Sequence, residues 1–590
     1  MSYKVPVRDI QFVMNEVLGY STHYQKITEG ENATPDMVKA IIEEMAKFSE
    51  SVLSPLNSIG DDKGCQFENG KVTTPPGFKE AYDQYSMNGW PGLSAPEFIG
   101  GQGLPESLKY ITYEAQTSAN HAWSMAANLA SAALETILSH GTQEHHQYAK
   151  KMIEGKWGGT MCLTESHCGS DLGLLRTKAE PNADGSYRIT GSKIFITAGE
   201  HDLTENIVHI VLARLPGAPA GVKGISLFIV PKFKLDADGE IAEENGVSCG
   251  SIEEKMGIHG SPTCVMNFNE AEGYLIGAPN KGMSCMFTFI NESRLLVAIQ
   301  AHGHIEAAFQ KSLVYAKERL QMRAPVRKLP EKPADPIIVH PDVRRMLLSQ
   351  KALSEGARML SYYCAQQVDL SHSQDIETKQ QAQTLLDLLV PIAKGFISEV
   401  SQEATGYGIQ ILGGHGFIKE SGLEQEFRDT RITSIYEGTT GLQGLDLLGR
   451  KILASNGKIL QPFVNEIRSF CKLNSGHDLV GQVGSALDKL LELTDFIGAK
   501  ASNPDEVNGA GVDYIMFAGY TTFAYFWAQA AIISQAKLNE GTTEVAFYKA
   551  KLATAEFYFC KLLPRIESLA LTIKAGSDCL MNIDDDAFYL

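Results

Sequence analysis

The chain has 590 residues, 44% of them hydrophobic and 21% charged, with 52 basic against 70 acidic side chains and a formal net charge of -18. That length is too great for one hydrophobic core and predicts several domains. The acidic excess argues against nucleic-acid partners and anionic membrane surfaces.

Ten cysteines are scattered through apolar segments without a CxxC or paired zinc spacing. This usage reads as reduced thiols in a cytoplasm, with no metal site. Met1 to Tyr20 mixes charged and apolar residues and lacks the basic-then-apolar plan of a secretory signal. No segment reaches the roughly 18 uninterrupted apolar residues of a membrane span. The C-terminal Ala587-Phe588-Tyr589-Leu590 forms no peroxisomal address. A cytoplasmic protein is expected.

Along the chain, Thr34-Pro35 suits a helix start, and Val38, Ile41, Ile42, Met45, Phe48 and Val52 then fall on one face. A second helical stretch, rich in Ala, Ser and Leu, is read from Pro105 to His140. From about Trp157 to Gly277 the pattern turns to strands. Tyr187-Arg188-Ile189-Thr190 follows the turn Asp184-Gly185, and Ile207 to Leu215 and Gly224 to Phe233 are β-branched and apolar. From Gly282 the helical period returns, to about Arg323, and a loop with Pro325, Pro330, Pro333 and Pro336 stops it. Helices are predicted over Pro341 to Val368 and Thr378 to Leu412. Beyond about Arg450 a further helical zone includes the apolar stretch Tyr514 to Ala536. The expected class is α+β, divided as an N-terminal extension (1–35), a helical domain (36–156), a central β domain (157–277), a helical domain (278–450) and a C-terminal helical extension (451–590).

Three segments rise above this background. Met161 to Asp171 concentrates small and hydroxyl residues beside glycine, which lets backbone amides approach a flat polar ring or a thioester, although a Ser/Gly-rich surface loop has the same composition. Gln410 to Phe417 carries Gly413-Gly414-His415-Gly416, which also reads as a helix C-terminus closed by glycines. In Arg428 to Thr440, Glu437 lies between Ile435-Tyr436 and Gly438-Thr439. A lone glutamate is usually a solvated surface residue. Apolar flanks, however, raise a carboxyl toward the working range of a general base.

Taken together these segments resemble the signatures of the acyl-CoA dehydrogenase family: a Thr-Glu-x-x-x-Gly-Ser-Asp loop, and an Ile-Tyr-Glu-Gly-Thr turn following Gln-x-x-Gly-Gly-x-Gly. Ile194-Phe195-Ile196-Thr197 is similar to the family's flavin strand, and Tyr315-Ala316-Lys317-Glu318-Arg319 to its arginine-bearing helix end. The resemblance covers about residues 36 to 450. It implies that a helical domain, a β domain and a helical bundle grip FAD, usually in a dimer or tetramer. It puts FAD against Met161, Leu163, Thr164, Gly169, Ser170, Phe195, Ile196, Thr197, Arg319, Gln410, Gly413, Gly414 and Thr439, with Thr164 and Thr197 on the flavin ring and Arg319, Gln410 and Gly414 at the diphosphate and adenine end. Acyl-CoA is expected at Ser170, Asn291, Arg294, Glu437 and Gly438.

The implied reaction is α,β-dehydrogenation of a fatty or 3-methylthiopropanoyl acyl-CoA to a trans-2-enoyl-CoA. Glu437 takes the α-proton, and the electrons pass to an electron-transferring flavoprotein. Some branches place the acid directly before the arginine of the long helix. In Asn291-Glu292-Ser293-Arg294 that position is Ser293, and Glu292 stands about 100° away around the helix.

Departures from the pattern are Ser166, His167 and Cys168 in the first loop, Phe195 where tryptophan is frequent, and Met322-Arg323-Ala324-Pro325 after the arginine helix. His167 is read as facing solvent. The opening Tyr3 to Asp9, Glu200-His201-Asp202 and the extension after Arg450 resemble a large bacterial branch with an added helical domain, for which coverage of apolar helix surface is the simplest role. Two alternatives stay open: an acyl-CoA oxidase, and a non-catalytic DNA-binding or scaffold member of the family.

Overall fold

The computed structural model describes residues 3–589. Met1, Ser2 and Leu590, the outermost residues of the two tails read for targeting signals, lie outside the described residues. The chain divides into two compact units, one of Glu43–Ser293 and one of Tyr3–Ile42 with Arg294 onward. No helix among the described residues is long and apolar enough to cross a membrane.

In the Glu43–Ser293 unit the stretch read as one helix from Pro105 to His140 is two helices, Glu106–Ala119 and His121–His140. Asn120 breaks it. Its backbone is extended (φ -162°, ψ 91°) and its side chain accepts from Trp123 N, capping the second helix. The β zone is a seven-stranded sheet of β1 (Trp157–Cys162), β2 (Lys178–Pro181), β3 (Tyr187–Thr197), β4 (Asn206–Arg214), β5 (Ile225–Pro231), β6 (Val247–Ile252) and β7 (Thr263–Ile276). Its order is β6-β7-β3-β2-β4-β1, with β5 pairing both β7 and β4; β1 and β4 run parallel. Alternation builds two cores from the same strands. Val208, Ile210, Leu212, Leu227 and Ile229 pack with Ala133, Ile137 and Met152 of the helices, while Val211, Ala213, Phe228 and Val230 pack with Ile189, Ile196 and Met266. Both faces are covered, so these strands read as continuous apolar runs.

The first candidate loop is pinned to this sheet by charge. Glu165, 5% exposed, receives Lys193 Nζ (2.8 Å), Thr177 Oγ1 (2.6 Å) and the backbone N–H groups of Arg176 and Thr177. Lys193 Nζ also donates to Leu163 O (3.0 Å), and Ile194 N donates to Thr164 O (2.9 Å). These donors hold the Glu165 carboxyl well down, at about 2, against the cost of its burial.

In the second unit the long helix Gly282–Glu318 ends five residues short of the expected Arg323; Met322 has a left-handed backbone, φ 60°. The proline loop beyond it folds around the buried Asp335, which accepts from the N–H groups of Ala324, Lys328 and Leu329. Helices Pro341–Ser371 and Ile376–Leu412 form a hairpin. The N-terminal segment lies along the first of these. Asp9 pairs with Arg358 and Lys551, Tyr20 donates to Tyr362 O, and His23 meets Asp369.

The C-terminal extension is not peripheral to this unit. Its helix Pro504–Asn539 is buried along most of Val507 to Ser534, with Phe523, Phe526 and Trp527 fully enclosed. Phe396 of the hairpin lies edge-on to Phe523 (4.9 Å, 87°), and Trp527 Nε1 donates to Ala352 O. At Gly444 and Gly511 two helix backbones touch: a Cβ on Gly444 would fall 2.5 Å from the Gly511 carbonyl carbon.

Two outcomes are expected from these packings. Gly444→Ala forces backbone apart and should cost about 1–3 kcal/mol in denaturant unfolding; an unchanged midpoint would contradict the contact. Glu165→Gln leaves Lys193 buried without its counter-charge and should cost about 3–5 kcal/mol. Because the carboxyl is depressed from its ordinary 4.5 to about 2, its contribution is complete above pH 4.5 and fades as pH falls toward 2. The melting-temperature gap between wild type and variant should therefore narrow only below pH 4.5.

Candidate active site

The segment around Glu437 is irregular by necessity. Helix Leu423–Thr430 gives way to a short 3₁₀ turn, Arg431–Ser434, and a new helix starts at Thr440, capped by Thr439 Oγ1 accepting from Leu442 N. Between them Glu437 and Gly438 are both left-handed, φ 56° and 93°. Glycine takes this conformation freely, but a glutamate there costs of order 1 kcal/mol or more.

Neighbouring side chains hold the turn. Gln443 Nε2 donates to Glu437 O (3.0 Å) and Gly438 O (3.2 Å), and Lys394 Nζ donates to Gly438 O (2.5 Å). Helix Ile376–Leu412 presents Lys394, Ser398, Glu399 and Gln402 to the segment. Ser398 donates to Thr433 O, Gln402 donates to Ser434 Oγ, and Glu399 accepts from Thr440. These residues follow the helical repeat, so one face serves the whole turn.

Burial pushes the Glu437 carboxyl up to about 7, opposed by the charges of Arg294 and Lys394. The same desolvation brings Lys394, fully enclosed, down to about 7. Arg294 Nη1 pairs with Asp446 (3.1 Å), which Lys451 also approaches (3.4 Å). Lys451 in turn donates to Asp387 O (2.7 Å), the carbonyl that Pro391, lacking an N–H, leaves free four residues on. Glu292 is committed elsewhere, accepting from Lys109 Nζ (2.9 Å) and Ser131 Oγ (2.7 Å), as its angular offset from Arg294 predicts. Asn291 is half-buried beside it on the helix.

In the other unit the loop Met161 to Asp171 doubles back on itself. Glu165 and Cys168 exchange backbone hydrogen bonds, and Gly169 is turned toward Thr164, a Cβ there standing 3.6 Å from Thr164 Cγ2. Met161 and Leu163 pack partly into the core, and Gly169 and Ser170 are exposed. Phe195 occupies a β-bulge between β3 and β7 with φ 58°, which turns its ring outward, 60% exposed; Ile196 points the other way, into the core. His167 is exposed, its Nε2 3.0 Å from Leu174 O. Glu165, His167 and Cys168 could surround a cation, but the Glu165 oxygens are already taken by Lys193, Thr177 and Arg176.

At the predicted adenine end the helix does close at Leu412, with Gly413 left-handed (φ 60°). Arg319, Gln410, Gly413 and Gly414 are exposed, and a Cβ on either glycine would meet nothing within 4 Å. Phe417 beside them is 81% exposed. These residues suit FAD chemically. An outward aromatic ring with Thr164 and Thr197 nearby in sequence and strand offers a stacking face with hydroxyls, and the exposed Arg319 guanidinium suits a diphosphate. Lys394, Gln443 and Lys193 escaped the sequence reading. The available signal was a lone lysine inside the apolar run Leu388 to Ile397.

The family described as acyl-CoA dehydrogenase, middle domain, matches residues 160–271; acyl-CoA dehydrogenase, C-terminal domain, matches 280–453; and acetyl-CoA dehydrogenase C-terminal like matches 463–584. A 3-methylmercaptopropionyl-CoA dehydrogenase of Ruegeria pomeroyi is 39% identical over 98% of this chain and 99% of its own. A broad-specificity linear acyl-CoA dehydrogenase of Mycobacterium tuberculosis is 34% identical over 99% and 100%. In fold, the chain is similar to Caenorhabditis elegans ACDH-11 in complex with C11-CoA (TM-score 0.76, 17% identity, 99% and 96% covered) and to a Bacillus anthracis acyl-CoA dehydrogenase complexed with FAD (TM-score 0.72, 22%, 96% and 92%). With family models matching residues 160–271, 280–453 and 463–584 and near full-length relatives in agreement, the chain belongs to the acyl-CoA dehydrogenase family of flavoprotein oxidoreductases.

Proposed function

We propose that Glu437 is the general base of an α,β-dehydrogenation of short linear acyl-CoA thioesters, 3-methylthiopropanoyl-CoA among them. The observation that carries this reading is a half-buried carboxyl, raised to about 7 by desolvation, at the tip of a clamped, left-handed turn. A thioester α-proton is weakly acidic, so a base near neutrality and fixed in direction is what the step demands. The choice of substrate class rests on the two relatives above and on a Syntrophomonas wolfei butyryl-CoA dehydrogenase, 32% identical over nearly the whole chain.

In this reading Glu437 Oε removes the α-proton, and its backbone N–H polarises the thioester carbonyl. Arg294 and Gly438 shape the reacting end, and Ser170 and Asn291 the approach of the thioester arm. Met161, Leu163, Thr164, Gly169, Phe195, Ile196, Thr197 and Thr439 hold the flavin ring, and Arg319, Gln410, Gly413 and Gly414 hold the diphosphate and adenine. Bound FAD supplies the acceptor for the β-hydrogen and its electron pair. An electron-transferring flavoprotein is the expected onward carrier, and a homo-oligomer the expected assembly, with the exposed Arg319, Gln410 and Phe417 at its interface. Dye-linked turnover with little peroxide release supports this; stoichiometric peroxide would favour an oxidase.

Glu437→Gln should retain FAD and acyl-CoA binding yet lose anaerobic flavin bleaching by about 10²–10⁴-fold or more. Glu292→Gln should keep bleaching while losing some stability, since the half-buried Lys109 loses its closer carboxylate and keeps only Glu106. Rapid bleaching in the first variant and none in the second would reverse the assignment. Because a base must be ionised to act, kcat/KM should rise with pH through about 7 and level off above it.

A further inference from the structure

We infer that Lys394 is a positioning residue for this base: its ammonium, clamped on the Gly438 carbonyl, holds the left-handed turn and lends its positive charge to the Glu437 carboxylate. The inference rests on the reading of Glu437 as base. Lys394 is wholly enclosed, and among the described residues its side chain's one hydrogen bond is to Gly438 O (2.5 Å). No carboxylate lies within 4.0 Å of it among the described residues.

Arg294 and Lys394 are the charges that act on Glu437, and the other charged groups around the turn are engaged elsewhere. Arg294, on the long helix, is paired with Asp446; Lys451, on the segment after the turn, is shared between Asp446 and the Asp387 carbonyl. Glu399, on the same helix as Lys394, is engaged by Thr440. Among the described residues around the turn, Lys394 and Glu437 are thus a cation and a carboxylate that form no ion pair within 4.0 Å. Burying an ammonium is costly unless it is compensated. A neutral donor such as the Gln443 amide already reaches the same carbonyl, so hydrogen bonding alone does not require a charge here. Glu437 is moreover the main negative charge favouring the ammonium form of Lys394, and Lys394, after Arg294, favours ionised Glu437 in return. Burial draws both groups toward neutrality, and each one's charge opposes the other's shift.

The test compares holoenzyme variants Lys394→Met, Lys394→Gln and Lys394→Arg by the pH profile of anaerobic bleaching and by infrared titration of the Glu437 carboxyl, isolated as the difference from Glu437→Gln. Removing the charge in the Met and Gln variants should move both the acid limb and the carboxyl midpoint upward by about one pH unit or more, as expected for loss of a nearby opposite charge. At pH below the limb that is about a tenfold slower rate. Lys394→Gln, which keeps a donor and is the variant less prone to misfold, should hold the high-pH plateau better than Lys394→Met. Lys394→Arg should restore the limb. An unmoved limb and midpoint in Lys394→Gln, with only KM or thermal stability altered, would make Lys394 a structural residue and overturn the inference while leaving the base intact. Wild-type bleaching in Glu437→Gln would instead overturn the reading beneath it.

Discussion

Everything near Glu437 answers to one constraint: a carboxyl titrating near neutrality must be withdrawn from water, and a carboxylate withdrawn from water must be supported. The chain meets both by placing the glutamate in an unfavourable left-handed conformation and then tying the backbone around it. Two carbonyls of the turn receive Gln443, one also receives Lys394, and the flanking residues are caught by Ser398, Gln402 and Glu399. Strain of this kind persists only where the surroundings over-determine it.

That over-determination extends into the C-terminal extension. The helix that follows the turn bears Gln443, and its next residue, Gly444, meets the backbone of Gly511 on the buried Pro504–Asn539 helix. The same long helix packs edge-on against Phe396, two residues beyond Lys394. Coverage of apolar surface is therefore only part of what the extension does. It backs both elements that clamp the turn, and a close-packed interior transmits a displacement at one contact to the next.

The β-containing unit uses charge for a similar purpose away from chemistry. Glu165 belongs to the family's loop signature, yet its carboxylate faces inward and serves Lys193, Thr177 and Arg176. The loop's outward face is left to Gly169, Ser170 and the bulge-displaced Phe195. Asp335 plays the same part for the proline loop. In each case a buried acid satisfies backbone donors of an irregular segment that no sheet or helix ladder could satisfy.

The sequence by itself determined the fold class, the family, the strand zone, the helix ends at Pro35 and Leu412 and the identity of the candidate base. These are written in local patterns: a period of two or 3.6, a glycine after a helix, an acid between apolar neighbours. The break at Asn120 was less visible, because a capping side chain overrode an otherwise continuous helical composition. Tertiary structure alone decided that Lys394, Gln443 and Arg294 surround Glu437 while Glu292 joins Lys109, and that Ile196 is core while Phe195 is exposed. Those pairings join residues as far apart as 183 positions, or turn on a single bulge in strand register. No local period records which distant side chain will face a carbonyl or a carboxylate, since long-range packing makes that choice only once the chain has closed on itself.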